Sequence, residues 1–299
     1  MSLISDEIRD QPHAWKRASA LARDSRAALP AGERIAVIGC GSSWHAAKAL
    51  AALRERSGAG ETDAFAASEA VLARPYDRVV AISRSGTTTE IRRALELVRD
   101  GTPTVAMVGD LDSPVAADCD LVVDLSFADD QSVVQTRFVT TVVCFGRALL
   151  GLETDDVLAD AERALSEPQP VEAGKFDRPV ILARGWRVGL ADAGALVLRE
   201  AAQMSAESYP AMEFRHGPIA TAGPKALVWL LDEPPGGLVD EIAATGAIVL
   251  MAKLDPLAEL IRIQRLAVAH AERGGLDADR PPNLERAVVL DLIESGGSP

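Results

Sequence analysis

Short, almost wholly apolar segments recur along this chain, each ending in glycine, hydroxyl or acidic residues and most leading into a helical pattern. They are "RIAVIGCGSS" (34–43), "VVAIS" (79–83), "TPTVAMVGD" (102–110) and "DLVVDLS" (120–126). A strand that is apolar on both faces does not suit an antiparallel sheet with one wet side. It suits a parallel sheet covered by helices on both faces. The pattern then restarts with "PVILARG" (179–185), "KALVWLLD" (225–232) and "GAIVLMA" (246–252). Matched positions in the two halves lie 143 to 149 residues apart. The predicted fold class is therefore α/β, with two tandem doubly wound, flavodoxin-like parallel-sheet units.

The Pro- and charge-rich stretch "SEPQPVEAGKFDRP" (166–179) reads as the linker. On that reading residues 1–165 hold an N-terminal helix and the first unit, and residues 166–299 the second unit with a C-terminal tail. Helices are expected over 3–28, where Pro30 and Gly32 stop the first, and over 44–56, about 68–73, 90–99, 132–150, 187–205 and 256–273.

The halves differ where chemistry is expected. The strand at 79–83 runs into "SRSGTTT" (83–89), whereas its counterpart ends in "DEPPGG" (232–237). Ligands of open α/β sheets bind beyond the carboxyl ends of the strands. A helix N-terminus there offers free N–H groups and partial positive charge, to which serine and threonine hydroxyls add donors. One threonine would cap the helix. Five hydroxyls in seven residues exceed that need, and a phosphate is the natural guest. "GCGSS" (39–43) lacks the third glycine of a dinucleotide fingerprint, because Trp44 stands there, so Ser42 and Ser43 are assigned to the same ligand as the serine loop.

A second constellation lies in "REAAQMSAESYPAMEFRHGPIA" (199–220). Glu200 interrupts an otherwise apolar helix, and His216 precedes a Gly-Pro turn. A carboxylate and an imidazole near a phosphate site can open a sugar ring and move a proton between adjacent carbons.

Composition narrows the class. A formal net charge of −13 disfavours nucleic acid and anionic membrane as partners. The stretch "FVTTVVCFG" meets Arg147 too soon to span a bilayer, and the N-terminus has no signal-peptide pattern. The three cysteines, Cys40, Cys119 and Cys144, fit neither a zinc pattern nor a disulfide framework. A cytoplasmic protein without metal or organic cofactor is expected.

Five motifs, in order from residue 39 to residue 288, resemble those of the sugar isomerase (SIS) domain family. In particular the chain looks like the tandem-SIS isomerase half of glucosamine-6-phosphate synthase and like stand-alone amino-sugar-phosphate isomerases and deaminases. "GCGSSWHAA" resembles that family's GCGTSYHAA, and "SRSGTTTEI" its SQSGETADT. "DDQSVVQTRFVTT", "EAAQMSAESYPAMEFRHGPIA" and "GLDADRPPNLERAV" match three further stretches. The resemblance implies phosphate-binding roles for Ser83, Ser85 and Thr88, sugar-site roles for Ser42 and Ser43, and a substrate-site position for Gln135. It implies that Glu200 is the isomerising base and His216 the ring-opening histidine. It further implies a homodimer in which the partner subunit supplies that histidine.

The chain departs from the family at two site positions. Arg84 stands for a glutamine in the phosphate loop and is expected to add a charged phosphate contact. Arg286 falls where the synthase has an imine-forming lysine, and a guanidinium is a poor imine former. There is also no glutaminase unit. These departures favour a substrate that already carries nitrogen: an amino-sugar 6-phosphate converted to a ketose phosphate and ammonia. Cleavage of fructosamine 6-phosphates would use the same two residues. A non-catalytic sugar-phosphate sensor is the reading from another class.

Overall fold

A computed structural model describes residues 2–152 and 154–290. The last nine residues of the expected second unit lie outside that range. In chain order the elements are α1 (Leu3–Leu21), β1 (Ile35–Gly39), α2 (Ser42–Arg56), β2 (Thr62–Ala66), β3 (Arg78–Ser83), α3 (Thr89–Glu96), β4 (Thr104–Val108), α4 (Pro114–Asp118), β5 (Leu121–Asp124), α5 (Arg137–Leu149) and α6 (Asp155–Ser166). Then come β6 (Arg178–Ala183), α7 (Val188–Ala202), β7 (Glu207–Pro210), β8 (Ala226–Leu230), α8 (Leu238–Ala244), β9 (Ile248–Met251) and α9 (Pro256–Gly274).

The strands form two wholly parallel sheets, in the order β2-β1-β3-β4-β5 and β7-β6-β8-β9. The alternation of strand and helix produced this, as the sequence implied. β1 and β8 are buried at every position, which is what helices on both faces require. In each sheet the chain steps to one side of the first strand and then returns to its other side. That reversal leaves a crevice between β1 and β3, and a second one between β6 and β8.

The sheets fall on either side of residue 166, but one apolar core runs through both. It joins Trp15, Leu50 and Phe145 to Leu190, Trp229 and Ile261. α2 and α7 cross at very short range. A Cβ on Gly189 would lie 2.6 Å from the His45 carbonyl oxygen and 2.7 Å from the Ala49 nitrogen. The chain also closes on itself. Asp279, beyond α9, accepts the N–H groups of Leu3 (2.9 Å) and Ile4 (2.8 Å) at the start of α1.

Several boundaries differ from expectation. The first helix ends at Leu21, and a separate 3₁₀ turn covers Arg26–Ala28. The helix expected near 68–73 is one 3₁₀ turn, Ala67–Glu69. The helix expected from Ser132 starts at Arg137. Its cap is the fully buried Asp130, whose carboxylate accepts from the N–H groups of Thr136 (3.1 Å), Arg137 (3.0 Å) and Phe138 (3.1 Å). Capping from six to eight residues upstream leaves 131–136 as a loop. β7, α6 and α8 were not anticipated. β7 is four residues long and ends in proline, too short for periodicity to mark.

Gly189→Ala should lower stability by about 1–3 kcal/mol, because a methyl group has no room between two helix backbones. Gly236→Ala, with open space around it, is the control. Equal urea midpoints for the two variants would mean that α2 and α7 do not approach this closely.

Candidate functional site

The crevice between β1 and β3 opens into a cavity of about 170 Å³. Ser42 at the start of α2, Thr88 and Glu90 at the start of α3, Gln135 from the loop before α5, Glu200 near the end of α7 and Arg286 from the irregular segment after α9 all line it. Five sequence-predicted residues, Ser42, Thr88, Gln135, Glu200 and Arg286, are thus brought together. Ser43 is held just behind them, its hydroxyl donating to Gln135 Oε1 (3.3 Å).

The serine loop is folded by its own hydroxyls. Gly86 N–H donates to Ser83 Oγ (3.0 Å), and the Thr87 hydroxyl lies 3.1 Å from Ser85 Oγ. Ser83, Ser85 and Thr88 are all buried. Thr88 makes no capping hydrogen bond to α3, so its hydroxyl is not engaged as the bland helix-capping reading required. Gly86 answers to close approach. At φ +61°, a Cβ there would lie 1.9 Å from Ser113 Oγ, so only glycine lets the loop rest on the start of α4.

Arg84 corrects the sequence reading. Its guanidinium points inward instead of towards a phosphate. It donates to the carbonyls of Ser132 (2.8 Å) and Val133 (3.1 Å) and to that of Arg286. It therefore clamps the 131–136 loop and the C-terminal segment to the end of β3. Glu7 of α1 holds the same loop, accepting from Ser132 N–H (3.0 Å). The C-terminal segment lies along α3, with Thr89 N–H donating to the Val288 carbonyl (3.1 Å) and Leu290 N–H to Thr89 Oγ1 (2.9 Å). Arg286 itself pairs with Asp129 and donates to the Asp130 carbonyl (3.2 Å).

Glu200 is the chemically distinctive group. Burial pushes its carboxyl from 4.5 up to about 7, although Arg84 and Arg199 pull the other way. One carboxylate oxygen is buried with no partner among the described residues. Glu90 was not singled out from the sequence beyond its place beside the cap. It too presents an unpartnered buried oxygen, and its only sequence signal was an acid in the first turn of α3. Cys40 also lines the cavity, but burial and Glu90 raise its thiol to about 11, so it stays protonated. His216 is exposed, just beyond the 3₁₀ turn Glu213–Arg215, and is not among the residues lining this cavity. Among the described residues no group of three or more His, Cys, Asp or Glu side chains could hold a metal ion, and no helix is long and apolar enough to cross a membrane.

Comparison with known proteins agrees with this architecture. A family model described as SIS domain matches residues 29–149. Residues 29–149 thus form an SIS domain, and the second sheet repeats its parallel topology, so the fold is a tandem SIS fold. It is 26% identical to the glutamine–fructose-6-phosphate aminotransferase (isomerizing) of Pyrobaculum aerophilum over 88% of its own length and 52% of the relative's. It is 28% identical to that of Caulobacter vibrioides over 96% of its length and 59% of the relative's. The chain thus spans about half the length of the curated relatives it matches. In three dimensions it is similar to a glucosamine-6-phosphate deaminase from Thermotoga maritima (TM-score 0.80, 23% identity, 97% of this chain and 100% of the other). It is similar also to tagatose-6-phosphate ketose/aldose isomerase from Escherichia coli (TM-score 0.76, 20% identity, 97% of each).

Two outcomes test this geometry. Arg84→Met should cost about 2–4 kcal/mol by stranding three carbonyls, and should expose residues 284–290 to limited proteolysis. Persistent protection of that segment would show that the clamp is dispensable. Glu200 should make stability fall with pH. The native state keeps its proton up to about 7, whereas the unfolded chain releases it near 4.5. The contribution is therefore complete below about 4.5 and lost as pH rises to about 7. Glu200→Gln should remove this slope and be more stable than the parent at pH 8, by up to about 3 kcal/mol. Parallel stability curves for the two proteins would place Glu200 in water.

Proposed function

We propose that this protein is a phosphosugar isomerase that acts on an amino-sugar 6-phosphate and releases ammonia. The observation that carries the reading is Glu200: a buried carboxyl raised to about 7, with a free oxygen, in a cavity walled by Ser42, Thr88 and Gln135. The phosphate sits at the 83–88 loop and the start of α3, where hydroxyls and a helix N-terminus supply donors. His216 opens the sugar ring. Glu200 then takes the proton from C2, next to the C1 aldehyde, and returns it to C1. The product is a ketimine at C2, and water adds to it and expels ammonia. The balance is amino-aldose phosphate plus water giving ketose phosphate plus ammonia.

Arg286 supports a substrate that arrives with its nitrogen. It stands paired with Asp129 at the cavity wall, and no lysine is among the described residues lining that cavity. An imine between the ketose and a lysine of this wall therefore has no amine to form from. The exposed position of His216, away from the cavity, supports a homodimer in which each chain lends its histidine to the other's site. Cleavage of a fructosamine 6-phosphate uses the same two groups in the opposite sense: its nitrogen is on C1, the proton moves from C1 to C2, and water splits the resulting C1 imine into aldose phosphate and free amine. A division at residue 166 into two units and a cytoplasmic setting accord with this role.

Glucosamine 6-phosphate should yield ammonia and ketose phosphate in equal amounts, and kcat should rise as pH increases through about 7, since the base acts when ionised. Glu200→Gln should lose at least about 100-fold in kcat. Mixing Glu200→Gln with His216→Ala chains should restore part of the activity, because one site of each mixed dimer would hold both native residues. No ammonia from any amino-sugar 6-phosphate and no free amino acid from a fructosamine 6-phosphate, with binding retained, would leave a sugar-phosphate sensor.

A further inference from the structure

The duplicated fold has a second crevice at its second point of chain reversal, between β6 and β8. In the first sheet that position holds the Glu200 cavity. In the second it holds a separate cavity of about 310 Å³, large enough for a phosphorylated hexose. The turn after β6 contributes Arg184 and Arg187, the turn after β8 contributes Asp232 and Glu233, and Arg56 at the end of α2 closes the rim. The position is the same as in the first sheet but the chemistry differs: guanidinium groups stand where the first crevice has hydroxyls.

Two features mark this as more than a charged surface. First, the side chains of Arg56 and Arg184 have no ion pair among the described residues, and both reach the rim beside the start of α7, a helix of 15 residues. Second, Asp232 is only 10% exposed in its side chain. One of its oxygens accepts Arg184 N–H (3.1 Å) and faces Arg187 Nη1 (3.5 Å). The other, Oδ1, is buried and has no partner among the described residues. A buried acceptor without a donor costs about 1–3 kcal/mol, and a ligand hydroxyl or ammonium would satisfy it. Three cations against two carboxylates leave a modest positive excess, which suits a ligand bearing an anion at one end and donors at the other.

We infer that this crevice is a second ligand site, for a phosphomonoester that also presents hydroxyl or ammonium donors, that is, a phosphosugar. Its phosphate contacts Arg56 and Arg184, for which guanidinium geometry is well matched, and a donor of the sugar reaches Asp232 Oδ1. The site holds no counterpart of the Glu200 and His216 pair, so its role is binding. The inference does not rest on the catalytic reading of the first crevice.

The test is calorimetric titration of the Glu200→Gln protein with glucosamine 6-phosphate, which avoids turnover. Two equivalents per chain are expected. Adding Arg56→Ala and Arg184→Ala should weaken one of them at least tenfold without lowering the melting temperature, since both side chains are exposed. Adding Ser42→Ala and Thr88→Ala instead should weaken the other. Binding of one equivalent that is lost with the two arginines would support this site and overturn the first. One equivalent indifferent to the arginines would overturn this site and leave the first. Equal displacement by inorganic phosphate and by sulfate would overturn it as well, as an adventitious ion only.

Discussion

The candidate site depends on a charge taken out of water. Arg84 lies at the end of β3 with 2% of its surface exposed, and burying a guanidinium costs several kcal/mol unless its donors find strong acceptors; both Nη groups do, while Nε has no partner among the described residues. The acceptors are carbonyls from two distant places, Ser132 and Val133 on one side and Arg286 on the other. The buried carboxylates of Asp130 and Glu7 add favourable field. The cost of the charge is offset only when all three segments are in place. The same requirement builds the cavity, since Gln135 belongs to the first segment, Arg286 to the second, and Thr88 follows Arg84 by four residues. A neutral glutamine at this position could leave one segment free. An arginine makes the arrangement close to all-or-none.

The two parallel sheets were legible because they follow from short-range pattern. A run apolar on both faces must be covered twice, and a chain that alternates strand and helix has few ways to do this. Glu200 was legible for a similar reason, as an acid near the end of a mostly apolar helix. The direction of Arg84 was not, because it is decided by carbonyls about 50 and 200 residues away. A phosphate contact and a carbonyl clamp look identical in a linear sequence. The start of α5 was hidden in the same manner: Ser132 has the look of an N-cap, but Asp130 does the capping and Ser132 is drawn to Glu7 instead. Ser43 and Gln135 were marked by resemblance to a family, and the hydrogen bond between them is a tertiary fact.

The two crevices show how one architecture can be divided between tasks. Both lie at a chain reversal, beside a helix start that follows a left-handed glycine, Gly41 (φ +52°) in the first and Gly185 (φ +58°) in the second. In the first, burial outweighs the pull of Arg84 and Arg199, so the Glu200 carboxyl holds a raised affinity for its proton although Arg286 also lines the wall. Further arginines beside it would pull that carboxyl down towards its ordinary value. The arginine-lined second crevice shares no lining residue with the first.

That separation bears on how Glu200 could move a proton in both directions. A carboxyl left at its ordinary value is an effective acceptor only of rather acidic protons and is almost never a donor near neutrality. Raised to about 7, it is present in both forms at comparable population, so it is a stronger acceptor of the carbon proton than an ordinary carboxylate and can still return that proton to the neighbouring carbon. Burial supplies the rise, and Arg84 and Arg199 limit it. The clamp that closes the cavity is thus also a restraint on its acid. Removing the Arg84 charge has two opposed effects: looser walls admit water and lower the Glu200 affinity for its proton, whereas loss of the nearby cation raises it. Arg84→Lys keeps the charge and loses the fork of donors, so it loosens the walls while leaving the field in place.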